Sequence, residues 1–521
     1  MKQSLRPSGI NHDIEPSELG PDVWNAGQNV VFVNGFAQAA PGWQDAVGAC
    51  LFKPLWILPV ITPTVFYWIY CGNTADDLAG GVGVTDGNTH WDITPVAGVL
   101  PTKAGDWTGG TLNGIPAFNG IGSPPMWWNL DTLAPAETLP GWVVGEYCQA
   151  LRPFKYHLIA MNITAAAGDF GDLVKWSSAA DPGSIPDSWT PEPANDAGNF
   201  TISATPGFIV DGGAMRDQFV VYKQHSTSIL QYIAGQFVFS NRKAFVTSGI
   251  LARNCWAEFY GKHYVLTDGD YIVHNGQQVD SLADGVNREF IFNGIDSNNY
   301  GAAFLAASHD TKQIWLCWPS QGNSLADTAL VHDINTGVFG ISDLPAVAFI
   351  SRGILNDPGA VYDWDDLTGT WNDPQRAWNE RTFNPTADIL VMAQPEQLRL
   401  LGHGGFLRDG ALVPVYLQLL GKDFKEYGSE HQVKTVTAIW SDIRGGNPPE
   451  GLQGTYYVRV GLQKTALDPV RWQPRAPQNP HYPKHDMVAS DFYISLELSG
   501  NQAAFWKLLD NAVEFEISGN A

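Results

Sequence analysis

The chain has almost no helical period. Gly occurs 54 times and Pro 34 times in 521 residues, and uninterrupted stretches of good helix formers are scarce. What recurs instead is a short apolar run, a tight turn and a second apolar run. Thr64–Tyr70 runs into Gly72-Asn73, and Tyr156–Met161 is followed after a loop by Leu173–Trp176. Gln218–Lys223 leads into Ser228–Ile233. His263–Leu266 meets Asp268-Gly269, a strong hairpin signal, and continues as Tyr271–His274 before Asn275-Gly276. Gln313–Trp318 precedes Ala329–Asp333, and Asp388–Met392 precedes Leu398–Leu401. These units begin at intervals of roughly 40 to 75 residues, the spacing of four-stranded propeller blades. Each reads as the middle hairpin of a small antiparallel sheet. Alone, such a sheet leaves both faces wet. Neighbours arranged around an axis cover them, and aromatic side chains fill the wedge between sheets.

The sequence therefore predicts an all-β fold with a β-propeller-like domain over residues 51–401. No WD or kelch signature marks the repeats, so the number of blades is not fixed, and an array of sandwiches is the rival architecture. Beyond about Gly402 the texture changes to longer alternating strands: Leu412–Leu417, Thr435–Trp440, Tyr456–Val460, Tyr493–Leu498 and Val513–Ile517. They predict an antiparallel β-sandwich over 402–521, with the Pro-rich stretch Trp472–Pro483 as an exposed excursion. Residues 1–50 would supply entry strands, free to pack with the C-terminal domain. At about 150 residues per domain, the length agrees with such a division into roughly two to four units.

Composition narrows the function classes. Lys and Arg number 30 against 53 Asp and Glu, a net charge of −23. That excludes a general nucleic-acid binder, which needs a basic footprint; Arg242-Lys243 is the single adjacent basic pair. It leaves room for a surface that lets nucleic acid slide past without sticking. Five dispersed cysteines, Cys50, Cys71, Cys148, Cys255 and Cys317, read as buried free thiols of a cytoplasmic product. Met1–Asp13 has no apolar core of the signal-peptide kind. Leu51–Tyr70 has the length of a membrane span, but Lys53 and the prolines at 54, 59 and 63 read instead as two buried strands around a turn.

Motifs for chemistry are missing. There is no GxSxG, no phosphate-cradling Gly-rich loop and no HExxH. His481 and His485 lie four apart between prolines that oppose a helix, a poor zinc pair. The acidic stretch Asp363-Trp364-Asp365-Asp366 through Asp373 lacks the ligand order of a calcium loop and reads as a solvated blade loop. Thr85–Trp91 resembles the Asp-box turn of sialidase-like propellers one residue short, and that box is a structural turn. The reading assigns no catalytic, cofactor-binding or metal-ligating residues.

The opening Asp22-Val23-Trp24-Asn25-Ala26-Gly27-Gln28-Asn29-Val30, with Asn34-Gly35 and Ala40-Pro41-Gly42, resembles the entry strand of virion structural proteins of tailed bacteriophages. Val174–Pro182, ending at Ser188-Trp189, resembles a blade turn of their propeller proteins. The run from Gln218 (QFVVYKQHSTSILQY) through Tyr264-Val265-Leu266 and Asp268-Gly269 to Arg288-Glu289-Phe290-Ile291-Phe292 is similar to the tail nozzle, or tail hub, protein of short-tailed phages. The terminal strands resemble that family's platform-like domain. The likeness covers most of the chain in order, as texture without an invariant signature.

The resemblance implies a virion protein, made in the host cytoplasm and placed at the tail tip as a homohexameric ring. Such a ring docks on the tail adaptor protein, carries fibres or spikes, meets the host cell envelope and lets viral DNA pass during ejection. No catalytic residues come with it. The charge agrees: an acidic wall recruits no counterion-release binding, although screening over about 8 Å confines the effect to the wall itself. Alternatives are another virion propeller for fibre attachment or receptor binding, and a glycan-active propeller enzyme.

Overall fold

The computed structural model describes residues 1–62, 66–96, 100–233, 238–355, 388–404, 407–427, 432–445, 455–478, 482–502 and 506–520. Blade 1 shows how the repeated pattern becomes a sheet. Lys53–Ile61, Phe66–Asn73, Gly80–Thr85 and His90–Asp92 pair antiparallel in chain order. Pro54 and Pro59 sit on the first strand, whose axial edge has no ladder partner, the place where a missing N–H is tolerated. The segment that imitates a membrane span is thus the first hairpin of this blade, and Pro63 and its neighbours lie outside the described residues. Among the described residues no helix is long and apolar enough to cross a membrane.

Blades 2 to 6 repeat the plan, opening with Trp107–Leu112, Tyr147–Phe154, Ile209–Met215, Trp256–Phe259 and Phe304–Ser308. Blade 7 comprises Phe349–Gly353, Ile389–Gln394 and Arg399–His403, and its fourth strand is Trp43–Ala49 from the start of the chain. First strands of successive blades pack on one another, blades 4 and 5 meeting through Gly213 and Trp256, and blade 7 returns to blade 1 to close the ring. The described residues therefore form a seven-bladed propeller. Its wedges are filled as aromatic-rich clusters: Trp56, Trp107, Phe118 and Trp128 between blades 1 and 2, and Phe154, Trp176, Phe219 and Phe239 between blades 3 and 4. Gly213 lies where a Cβ would strike the Trp256 ring of the next blade, so this seam closes only over glycine.

Each hairpin picked out by sequence falls inside strands b and c of its blade. Blade 2 was not foreseen. Its inner strands are broken by Gly109, Gly110 and Pro116, and its outer strands, Met126–Trp127 and Glu137–Thr138, are two residues long.

The sandwich is real, and both of its sheets continue into the propeller. One sheet runs from blade 6 through Val30–Val33 and Phe36–Ala39 to Trp506–Asn520, Gln432–Gly445 and Lys484–Asp491. The other runs from blade 7 through Leu407–Arg408 to Ala411–Lys422, Tyr493–Gln502 and Thr455–Gln463. Alternation puts Leu417, Leu419, Val436, Ile439, Val458, Leu496 and Phe515 into one core. Lys2–Ser4 and Ala26–Gln28 each add an edge to a sandwich sheet. The first 49 residues thus complete blade 7, extend blade 6 and edge both sandwich sheets. Within the Pro-rich stretch, Ala476–Gln478 pairs with Tyr456–Val458, so that part is a sheet edge rather than a free excursion.

Candidate functional site

The strands of a blade run a, b, c, d outward from the axis. Antiparallel order puts the a–b and c–d turns on one face of the disc, the turn face. The b–c turns and the links between blades emerge on the other, the link face.

At the turn-face end of the axis lies a cavity of about 440 Å³ lined by Gly109, Arg152, Pro153, Gly213, Ala214, Arg216, Trp256 and Glu258. Its floor is a buried polar clasp. Asp211 on blade 4 accepts from Arg152 Nε at 3.0 Å and Nη2 at 2.7 Å. The same carboxylate accepts from the Asn254 backbone N–H at 2.9 Å and from Trp256 Nε1 at 3.0 Å. Arg152 Nη1 donates to Gly109 O at 3.2 Å, and Arg152 Nη2 donates to Asn254 Oδ1 at 2.7 Å. Blades 2, 3, 4 and 5 are thereby tied at one point. Burial pushes the Asp211 carboxyl upward, but the Arg152 guanidinium and the N–H donors outweigh it and hold the group below the usual carboxylate range. Every polar atom of this ion pair is engaged, as a buried charge requires. A cavity of this volume suits a small molecule or a side chain; it is no conduit for a duplex.

The seams between blades carry a second polar device. Ala214 O accepts from His263 Nε2 at 2.8 Å, so His263 Nδ1 is bare and accepts from the Tyr222 hydroxyl at 2.7 Å. The Tyr222 oxygen accepts in turn from His274 Nε2 at 2.7 Å. Both rings are neutral in this arrangement. Burial depresses His263 to about 4; burial, and then the neighbouring His263, depress His274 to about 3. Tyr271 and His332 meet at 3.2 Å across the next seam, and burial lowers His332 to about 4. Across the closing seam, His90 Nε2 donates to Val47 O at 2.9 Å while Nδ1 accepts from the Tyr70 hydroxyl at 3.0 Å.

Among the described contacts the histidine rings meet Tyr, Asn, Asp and backbone groups, never a Ser, Thr or Cys side chain. No group of three or more His, Cys, Asp and Glu among the described residues is placed to hold a metal ion. His485 lies on the strand Lys484–Asp491, while His481 and the whole stretch Asp363–Asp373 fall outside the described residues. The turn at Thr85–Trp91 is held by one of its own side chains: Asp86 Oδ1 accepts from the N–H groups of Asn88 and Thr89. All five cysteines are buried and free.

The clasp was missed by sequence reading because its members are 59 and 102 residues from Arg152. The signal was present all the same: one charged residue in each of two inner strands, in Leu151-Arg152-Pro153 and Val210-Asp211-Gly212.

Charge divides between the two parts. Residues 51–401 sum to −18, and residues 402–521 to −2.

No protein-family model matches the chain, and no curated protein matches it. Solved structures similar to it include β-propeller proteins. YCF48 bound to a D1 peptide is 9% identical, with 70% of this chain and 99% of that one covered and a TM-score of 0.37. The WD40 propeller domain of Doa1 is 10% identical, with 70% and 96% covered and a TM-score of 0.37. PorZ, a surface component of the type-IX secretion system of Porphyromonas gingivalis, is 11% identical, with 91% and 62% covered and a TM-score of 0.38. Likenesses this distant carry no argument about role. The all-β fold, a propeller joined to a sandwich, rests on the strand pairing described above.

Proposed function

We propose that this chain is a structural component of a short bacteriophage tail, the nozzle at its distal end, and that copies of it form a ring around the path of the genome. The observation that carries the reading is the charge split on one body: an acidic propeller joined to a nearly neutral sandwich by two sheets that pass between them through single bridges such as Ile341–Val30 and Arg408–Trp43. Copies of a chain with net charge −23 repel one another, so association costs least through the sandwich. The acidic propellers would then border a lumen where phosphates find no counterion-release partner. The propeller's own axis, cup-sized and floored by the Arg152–Asp211 clasp, is not that lumen; the conduit would lie between copies.

In this reading the tail adaptor, fibres or spikes and the host envelope are the partners, and the protein turns over no substrate. Immunogold labelling of particles from a phage encoding this chain tests it directly. The expected result is label on the tail axis at the distal tip. Label confined to peripheral fibres, or absent from particles, would overturn it.

A further inference from the structure

A second cavity lies on the sandwich, on the sheet that continues into blade 7. Alternation sends Val415, Leu417, Val458, Leu496 and Leu498 into the core, so the residues between them stand on the opposite face. There, Gln28, Tyr416, Ser499, Tyr457 and Pro477 form one row across five neighbouring strands. Gln418, Glu497 and Arg459 form the next, and Arg475 reaches Glu497 from the sheet edge. A cavity of about 380 Å³ is walled by Pro414, Tyr416, Tyr457, Ser499 and Arg475.

The second row is closed upon itself. Glu497 accepts from Gln418 Nε2 at 2.7 Å, from Arg459, and from Arg475 Nη2 at 3.1 Å. The Arg459 guanidinium also lies over the Trp472 ring at 4.4 Å. The first row is not closed. Ser499 Oγ is buried with no hydrogen-bond partner, a state that calls for an explanation. Among the described residues, no hydrogen bond uses the hydroxyl of Tyr416 or Tyr457. Arg475 gives one donor to Glu497, its side chain is 52% exposed, and its guanidinium has further N–H groups to offer. Three unengaged hydroxyls and a guanidinium edge thus meet two tyrosine rings around one cleft.

We propose that this cleft binds a sugar ring, as a mono- or disaccharide. The chemistry of the walls selects that class. An anion would meet a guanidinium already shared with Glu497, and a cation would meet two arginines. A wholly apolar ligand would leave the hydroxyls unpaired. A pyranose is neutral, its hydroxyls both donate and accept, and its C–H face packs on an aromatic ring. The volume sits at the small end of ligand pockets. The proposal does not rest on the tail reading, and a solution assay that needs no particle tests it alone.

Saturation-transfer NMR on the full chain is that assay. The probes are the methyl glycosides of glucose, galactose, mannose and N-acetylglucosamine, with a proline-rich peptide as competitor. At least one glycoside is expected to receive saturation, most strongly at its ring C–H protons. Tyr457→Ala should weaken binding by about tenfold or more. Ser499→Ala, which removes only a hydroxyl, should weaken it by about fivefold. Leu133→Ser, at an exposed site in blade 2, should leave it unchanged; thermal melting confirms that the variants fold. Three outcomes overturn the proposal: no saturation of any glycoside, affinity unaltered by both cleft variants, or displacement of the sugar by the peptide, which would make the cleft a peptide site.

Discussion

The propeller and the sandwich are made of similar antiparallel strands but are held together differently. A blade is covered on both faces, so its seams bury polar groups in hydrogen-bonded sets: Arg152 with Asp211, Tyr222 with His263 and His274, and Tyr271 with His332, although His274 Nδ1 is left without a partner. Each sandwich sheet turns one face inward, and that face is apolar. Its most deeply buried acid, Glu497, lies on the opposite face, with Arg459 at 2.5 Å and Arg475 at 3.1 Å. Polar seams fix the angle between wedges, which apolar packing alone leaves adjustable. The sandwich needs only alternation to fix its register.

The largest expected effect sharpens this contrast. Asp211→Ala leaves the Arg152 charge buried without its partner and should cost about 3–5 kcal/mol. Glu497→Ala frees two arginines that reach water and should cost about 1–3 kcal/mol. Urea unfolding followed by tryptophan fluorescence measures both, and equal losses would break the comparison.

Acid comes next. His263, His274, His332 and His403 are depressed by burial to between about 3 and 4, from an ordinary value near 6.5. Their contribution is complete above pH 6.5 and is lost as the pH falls from there toward 4, because the unfolded chain takes up protons that the folded one refuses. For His332 this is on the order of 3 kcal/mol. Thermal melts between pH 7 and pH 4.5 should show a steep loss of stability, and His332→Phe should make the slope shallower. A slope unchanged by that substitution would place the acid sensitivity outside this seam.

The smallest effect concerns the thiols. Burial raises Cys71, Cys148, Cys255 and Cys317, and it raises Cys50 with help from Asp45. A thiol reagent should titrate none of the five in the native protein and all five in denaturant. Reducing agent should leave the melting temperature unchanged.

Local features were legible in the sequence, and closures were not. The b–c hairpins of six blades are apolar runs around short turns, and periodicity finds such units. Blade 2 escaped because glycines and a proline dilute its strands and its outer pair is too short to show a period. The sandwich strands declared themselves through alternation, as in Tyr493-Ile494-Ser495-Leu496-Glu497-Leu498. By contrast, Trp43–Ala49 pairs with Arg399–His403, a partner chosen by burial across the whole chain. Nothing local marks that choice. The helix Arg288–Gly294 also went unread: it is short, and its first turn is held from outside, by Asp13 accepting from the N–H groups of Glu289 and Phe290. The candidate site was legible only as isolated charges in apolar strands.

The central claim is that the two lobes are one body closed by the first 49 residues. A protease site inserted at the exposed link residue Leu51 allows that segment to be cut after folding. The account predicts that the 1–50 fragment stays bound in native buffer, and that residues 52–521, once unfolded and separated from it, fail to regain either lobe until the fragment is returned. Release of the fragment with both lobes intact, judged by hydrogen exchange in blade 7 and in the sandwich, would contradict it.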